Sequence, residues 1–307
     1  MSARPRAPGS LSGDRRRLLE LLLREKGLAA GSAPAIPRAD RSAPLPLSLN
    51  QEGLWFVEQL NPGQALNSIP GAVRLRGHLR REALRRSLEE IVRRHEALRT
   101  RFPTREDGSA CQAIDPPRPL ELPLLDISAR PAAEREAEAL RLATEEASRP
   151  FDLARGPLFR CALLRLAEDE HVLVLNIHHI VCDGWSMGVF TRELAALYAA
   201  FGAGQPSPLP ELAVQCADVA VWEREWLAAG ELERRLAYWR EQLGPRPPLL
   251  ALPTDHARPR VHSMRGKHHP FRLDGGLSES LRALARGEGA TPYMVLLAAF
   301  YALLHCE

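Results

Sequence analysis

The 307-residue chain is 45% hydrophobic and 26% charged, which is ordinary for a globular protein and leaves room for one large or two modest domains. A net charge of +3, without a basic cluster alternating with aromatics, argues against a nucleic-acid partner; Lys26 and Lys267 are the only lysines, a bias read as GC-rich coding. Five scattered cysteines lack C-x-x-C or metal-ligand spacing, and neither a signal-peptide core nor a bilayer-length apolar run is present, so a reduced, cytoplasmic protein with no membrane and no bound metal is expected.

Residues 1–44 read as an N-terminal helix and linker. Ser12 caps the helix, Leu18, Leu19, Leu21, Leu22 and Leu23 form its apolar face, and Gly27 closes it before an Ala/Pro/Ser-rich stretch. Residues 45–213 alternate helices and strands. The order is a helix at 48–60, a short strand at 73–76 and an amphipathic helix at 81–98 with Leu84, Leu88, Ile91, Val92 and His95 on one stripe. A charged helix at 132–148 follows, then paired strands at 159–166 and 172–179 joined by an acidic turn, then a helix capped by Ser186 and running to about 201. Residues 214–260 read as a long helix at 214–243 and a proline-rich crossover. Residues 261–307 read as a strand at 268–273 and two helices. The last helix, 292–304, is almost wholly apolar and needs partners on all sides, so the fold is expected to be cut short at Glu307.

The chemistry concentrates in residues 172–190. An aliphatic strand ends on His178 and His179, and Asp183 and Gly184 open a turn into a helix. Side chains alternate along a strand, so the two imidazoles face opposite ways and make poor co-ligands for one metal. One can therefore face a cavity, where an imidazole handles protons near neutral pH, while the other anchors the loop. Gly184 permits a tight turn, and the amides of residues 184–187 near a helix N-terminus favour developing negative charge. Asp183, inside the turn, is expected to shape the loop rather than transfer protons.

The pattern His178-His179-x-x-x-Asp183-Gly184 resembles the signature of nonribosomal peptide synthetase condensation domains and, more distantly, of chloramphenicol acetyltransferase. Residues 48–55 resemble the first motif, with Gln51 and Trp55 in place, but depart from it at Asn50 and Gly53. Residues 94–102 resemble the second motif, and 151–158 the segment preceding the histidine strand. Residues 216–222 resemble the fourth motif, although Cys216 and Val219 replace its usual aromatics. The match runs over residues 45–307 with its motifs in order.

The resemblance implies an α/β, chloramphenicol acetyltransferase-like lobe with a mixed sheet flanked by helices, plus the incomplete start of a second similar lobe. It implies that His179 is catalytic, either accepting the amine proton or ordering the amine, with His178, Asp183, Gly184 and Arg99 in support. Arg99 would form a salt bridge with Asp183. It further implies amide-bond formation between thioesters on upstream and downstream peptidyl carrier proteins, beside an adenylation domain, with an L-configured donor. Phosphopantetheine would belong to those carriers, and no cofactor to this chain. The alternatives are a coenzyme A-dependent acyltransferase of the same superfamily, an epimerisation domain, and a truncated, non-catalytic remnant that binds carrier proteins.

Overall fold

The computed structural model describes residues 36–246, 256–257 and 269–306. The helix expected near Leu18–Leu23 and most of the proline-rich crossover lie outside the described residues. The chain divides after Leu232 into two compact units.

The first unit opens with helix α1 (Leu49–Leu60), started by a capping box in which Ser48 and Gln51 satisfy each other's backbone amides. Its sheet has four strands in the order β1-β6-β5-β4, from β1 (Ser68–Arg76), β4 (Leu124–Asp126), β5 (Phe159–Ala167) and β6 (Glu170–His178). The strands β2 (Thr100–Arg101) and β3 (Ala113–Ile114) form a separate ribbon. Strands β5 and β6 pair antiparallel as expected, β1 lies antiparallel on the other side of β6, and β4 runs parallel to β5. The sheet is therefore mixed. β1 begins five residues before the expected 73; Pro70 and Gly71 hid it, and both are tolerated because β1 is an edge strand.

Central β6 is apolar on both faces because helices cover both. Leu173, Leu175 and Ile177 pack with Leu84, Leu88 and Ile91 of α2 (Arg81–Arg94) and Phe190 and Leu197 of α4 (Gly184–Gly202). Val172 and Val174 meet Ala139, Leu142 and Ala143 of α3 (Ala132–Ser148) on the opposite face. Each fully buried aliphatic side chain contributes roughly 1.5–3 kcal/mol.

Two helices end or bend where periodicity alone does not show it. α2 stops at Arg94, and Glu96–Arg99 form a 3-10 turn. The Gln215 side chain stabilises the break, accepting from the Glu96 amide (3.1 Å) and donating to the Arg94 carbonyl (2.8 Å). The helix expected over 214–243 is α5 (Cys216–Trp226), a π turn (Leu227–Glu231) and α6 (Leu232–Leu243); Gly230 takes a φ of 106°, which favours glycine.

In the second unit Asp274 caps α7 (Gly275–Gly287), which packs on α8 (Pro292–Cys306). Tyr293, Met294, Phe300 and Tyr301 of α8 are exposed. The strand expected at 268–273 is not formed by its described residues 269–273, where Phe271 is exposed and has no strand to pair with among the described residues. Among the described residues no single helix is long and apolar enough to cross a membrane.

Candidate active site

Strand β6 delivers His178 and His179 to very different places. His178 is buried, its Nδ1 accepting from the Ile180 amide at 3.0 Å and its Nε2 lying 3.1 Å from Glu58 Oε1 of α1. Because Nδ1 already accepts, Nε2 carries the hydrogen and donates to Glu58, which fixes the neutral tautomer. Burial pushes the His178 pKa below its usual 6.5, and the hydrogen bond to Glu58 only partly offsets it. Asn67 donates to the same Glu58 oxygen at 2.8 Å, and the Phe151 ring stands edge-on at 5.8 Å. His178 is thus a bracket between β6 and α1.

His179 is exposed, anchored through its amide to the Asn67 carbonyl at 2.7 Å. It opens into a cavity of about 640 Å³ lined also by Ser48, Asn50, Gln51, Ala97, Cys182, Asp183 and Cys216. The first motif supports this cavity directly. Gln51, buried, accepts from the Ser48 amide at 2.9 Å and donates to the Ile180 carbonyl at 3.4 Å, tying the start of α1 to the histidine loop.

Asp183, not Ser186, caps α4. Its Oδ1 accepts from the Ser186 amide (2.7 Å) and hydroxyl (2.6 Å), and these bonds hold its carboxyl below the usual range. The carboxylate is therefore committed, and the expected salt bridge with Arg99 is not made. Arg99 leaves the 3-10 turn toward the end of β3, where it donates to the Asp115 carbonyl and lies 3.7 Å from Glu96. It lines a different cavity, about 610 Å³, along β5. Gly184 is not in the left-handed region, and a side chain there would project into open space, so no tight turn requires glycine. The Ser186 and Met187 amides, expected to favour negative charge, are already bonded to Asp183.

Several residues essential to this geometry escaped sequence reasoning. Glu58 shows no pattern that marks it as the partner of His178. Arg94 and His95 both reach Glu193 of α4, at 3.1 and 2.8 Å, clamping α2 to the helix that follows the histidine loop. Arg41 bridges Glu96 and Asp218 behind the cavity. These pairs are far apart in sequence; the motif-like segments contain Arg94, His95, Glu96 and Asp218 but do not show which residues they meet. Among the described residues no group of three His, Cys, Asp or Glu side chains is arranged to hold a metal ion.

A family model for the condensation domain matches residues 42–306. The chain belongs to the condensation-domain family. It is 48% identical over 285 residues to chondramide synthase cmdD of Chondromyces crocatus, a match covering 92% of this chain and 7% of that protein. It is 43% identical over 297 residues to phosphinothricin tripeptide synthetase PhsC of Streptomyces viridochromogenes, covering 96% and 27%. Among solved structures, the X-domain from teicoplanin biosynthesis matches with a TM-score of 0.78 at 32% identity, covering 89% of this chain and 59% of that one. The first condensation domain of the CDA synthetase matches with a TM-score of 0.68 at 28% identity, covering 86% and 62%. This condensation-domain chain thus spans a small part of its synthetase relatives and about three fifths of the solved domains. Its mixed sheet flanked by helices is the fold expected from the motifs.

Proposed function

We propose that the His179 cavity forms an amide bond between an acyl or peptidyl thioester and an aminoacyl thioester, each presented on the phosphopantetheine of a carrier protein, in an assembly line that also holds an adenylation domain. The acceptor amine attacks the donor carbonyl, the C–N bond forms, and the C–S bond breaks. The proton lost by the amine ends on the departing pantetheine thiol. An α-ammonium has a pKa near ~8, so the amine must shed a proton to attack. The observation that carries this reading is His179 itself: an exposed imidazole in a cavity, with no side-chain hydrogen bond among the described residues, beside a neutral, fully bonded His178. No side chain among the described residues bonds the His179 ring, and Asp183 is held by Ser186 and does not orient that ring as a triad carboxylate would.

The test is peptide formation from donor and acceptor thioesters on carrier proteins. It is run with the chain itself and with the chain joined to the part of a relative's condensation domain that it does not span. His179→Ala is expected to lower the rate by about 10²–10⁴-fold in whichever form is active, with its melting temperature unchanged. An alanine variant as fast as the parent refutes the assignment.

A second reading is a docking module without catalysis. It is favoured by the likeness to the X-domain from teicoplanin biosynthesis, which is also solved in complex with OxyB and matches there with a TM-score of 0.76 at 34% identity. Binding of a carrier protein with no turnover in either form supports that reading. Turnover from soluble coenzyme A thioesters, as fast as from carrier-bound ones, points instead to a coenzyme A-dependent acyltransferase.

A further inference from the structure

Two buried carboxylates stand behind the His179 cavity, and one arginine bridges both. Arg41 Nη2 and Nε lie 2.7 and 3.1 Å from Glu96 Oε2, and Arg41 Nη1 lies 2.7 Å from Asp218 Oδ1. Asp218 also accepts from the Ala39 amide at 2.9 Å and the Gln215 amide at 2.8 Å. The Glu96 and Asp218 side chains are 11% and 0% exposed, that of Arg41 28%. Burial alone would raise the Asp218 carboxyl, but Arg41 and the two amides outweigh it and hold it below the usual range. The chain neighbours of these carboxylates are walls of the cavity: Ala97 follows Glu96, and Cys216 and Val219 sit beside Asp218 on the first turn of α5.

We propose that Arg41 is a positioning residue for the condensation site, its single guanidinium fixing the Glu96–Arg99 turn against the start of α5 and so setting the shape of the cavity beside His179. The inference rests on reading that cavity as the reaction site. Arginine suits the task because its planar fork spans two carboxylates, whereas the compact ammonium of lysine serves one. The segment that leads into α1 thereby becomes part of the site's frame.

The test compares the full chain with Arg41→Lys and Arg41→Gln, in the form active in peptide synthesis. The first readout is alkylation of Cys182 by iodoacetamide. Cys182 is a buried thiol of the cavity lining whose pKa burial pushes up to about 11, and the exposed Cys306 serves as internal reference. Arg41→Gln is expected to speed Cys182 labelling about tenfold relative to Cys306, and Arg41→Lys less, because access and thiolate character both rise as the walls part. Peptide formation should fall in the same order. A third readout is specific to charge: without Arg41, burial favours the protonated Asp218 carboxyl, so the melting-temperature deficit of Arg41→Gln should shrink as pH falls from about 8 to about 5.

If Arg41→Gln does not fold, Arg41→Gln/Asp218→Asn removes the more deeply buried of the two carboxylate charges and carries the same labelling test. Unchanged Cys182 labelling in a folded variant overturns the proposal, as does faster labelling with undiminished peptide formation. If His179→Ala retains full activity, the reaction assignment fails, and the labelling result still decides whether Arg41 shapes the cavity.

Discussion

The two sides of the β6 end, one residue apart in sequence, have opposite physical character. Behind the strand, His178 is buried where Glu58, itself held by Asn67, and the Ile180 amide leave its ring no spare hydrogen-bonding capacity. In front of it, His179 stands exposed in an open cavity, tied down among the described residues only through its backbone. Burial fixes the protonation state of the first ring and makes it a structural bracket. Exposure leaves the second without a side-chain hydrogen bond among the described residues. The pair teaches that the neutral bracket holds the loop so that its neighbour can remain unencumbered.

The largest effect that would break this contrast is on stability. His178→Ala removes two buried hydrogen bonds and leaves a void beside Phe151, with an expected cost of about 2–4 kcal/mol in urea unfolding at neutral pH. Glu58→Gln keeps an acceptor for the Nε2 hydrogen and should cost much less. A sharper version uses pH. The folded pKa of His178 is depressed below 6.5, so the unfolded chain binds more protons between that value and the folded pKa. Its contribution is complete above 6.5 and is lost as pH falls through the folded pKa. His178→Gln should therefore flatten the acid side of the stability profile. An unchanged slope would mean that the buried ring is not the group being charged.

Much of this arrangement was legible from residue pattern. The aliphatic run before the histidines gave the central strand, and alternation gave their opposite faces, because a period of two is local. Gln51 and Trp55 marked the helix that braces the loop. What escaped notice was non-local. Glu58, 120 residues from His178, and Arg41, 177 residues from Asp218, are ordinary charged residues until the fold buries them. The pairing of Arg99 with Asp183 failed for a related reason. The resemblance alone implies it, whereas in the structure Gln215 stabilises a break of α2 at Arg94 and the following turn carries Arg99 toward Asp115. The stretch read as one long helix is interrupted at Gly230, whose positive φ the apolar periodicity does not show.

Asp183 and Arg99 give the smallest effects and the most discriminating ones. Asp183→Ala removes the cap of α4 and should cost about 1 kcal/mol, with Asp183→Asn, a competent cap, close to the parent. Arg99→Ala acts elsewhere. Its nearest carboxylate, Glu96, is 3.7 Å away and already holds Arg41 at 2.7 Å, and its firm bond is to the Asp115 carbonyl beside Arg101. Burial depresses the Arg99 pKa, the signature of a guanidinium whose desolvation is incompletely repaid by a carboxylate. In a double-mutant cycle the two alanine substitutions share no partner, so their unfolding free energies should add to within about 0.3–0.5 kcal/mol. A coupling well above ~1 kcal/mol would mean that the chain populates an arrangement in which Arg99 turns from Asp115 to Asp183. That exchange requires Asp183 to release Ser186, so it would loosen the first turn of α4 and move the loop that carries His179.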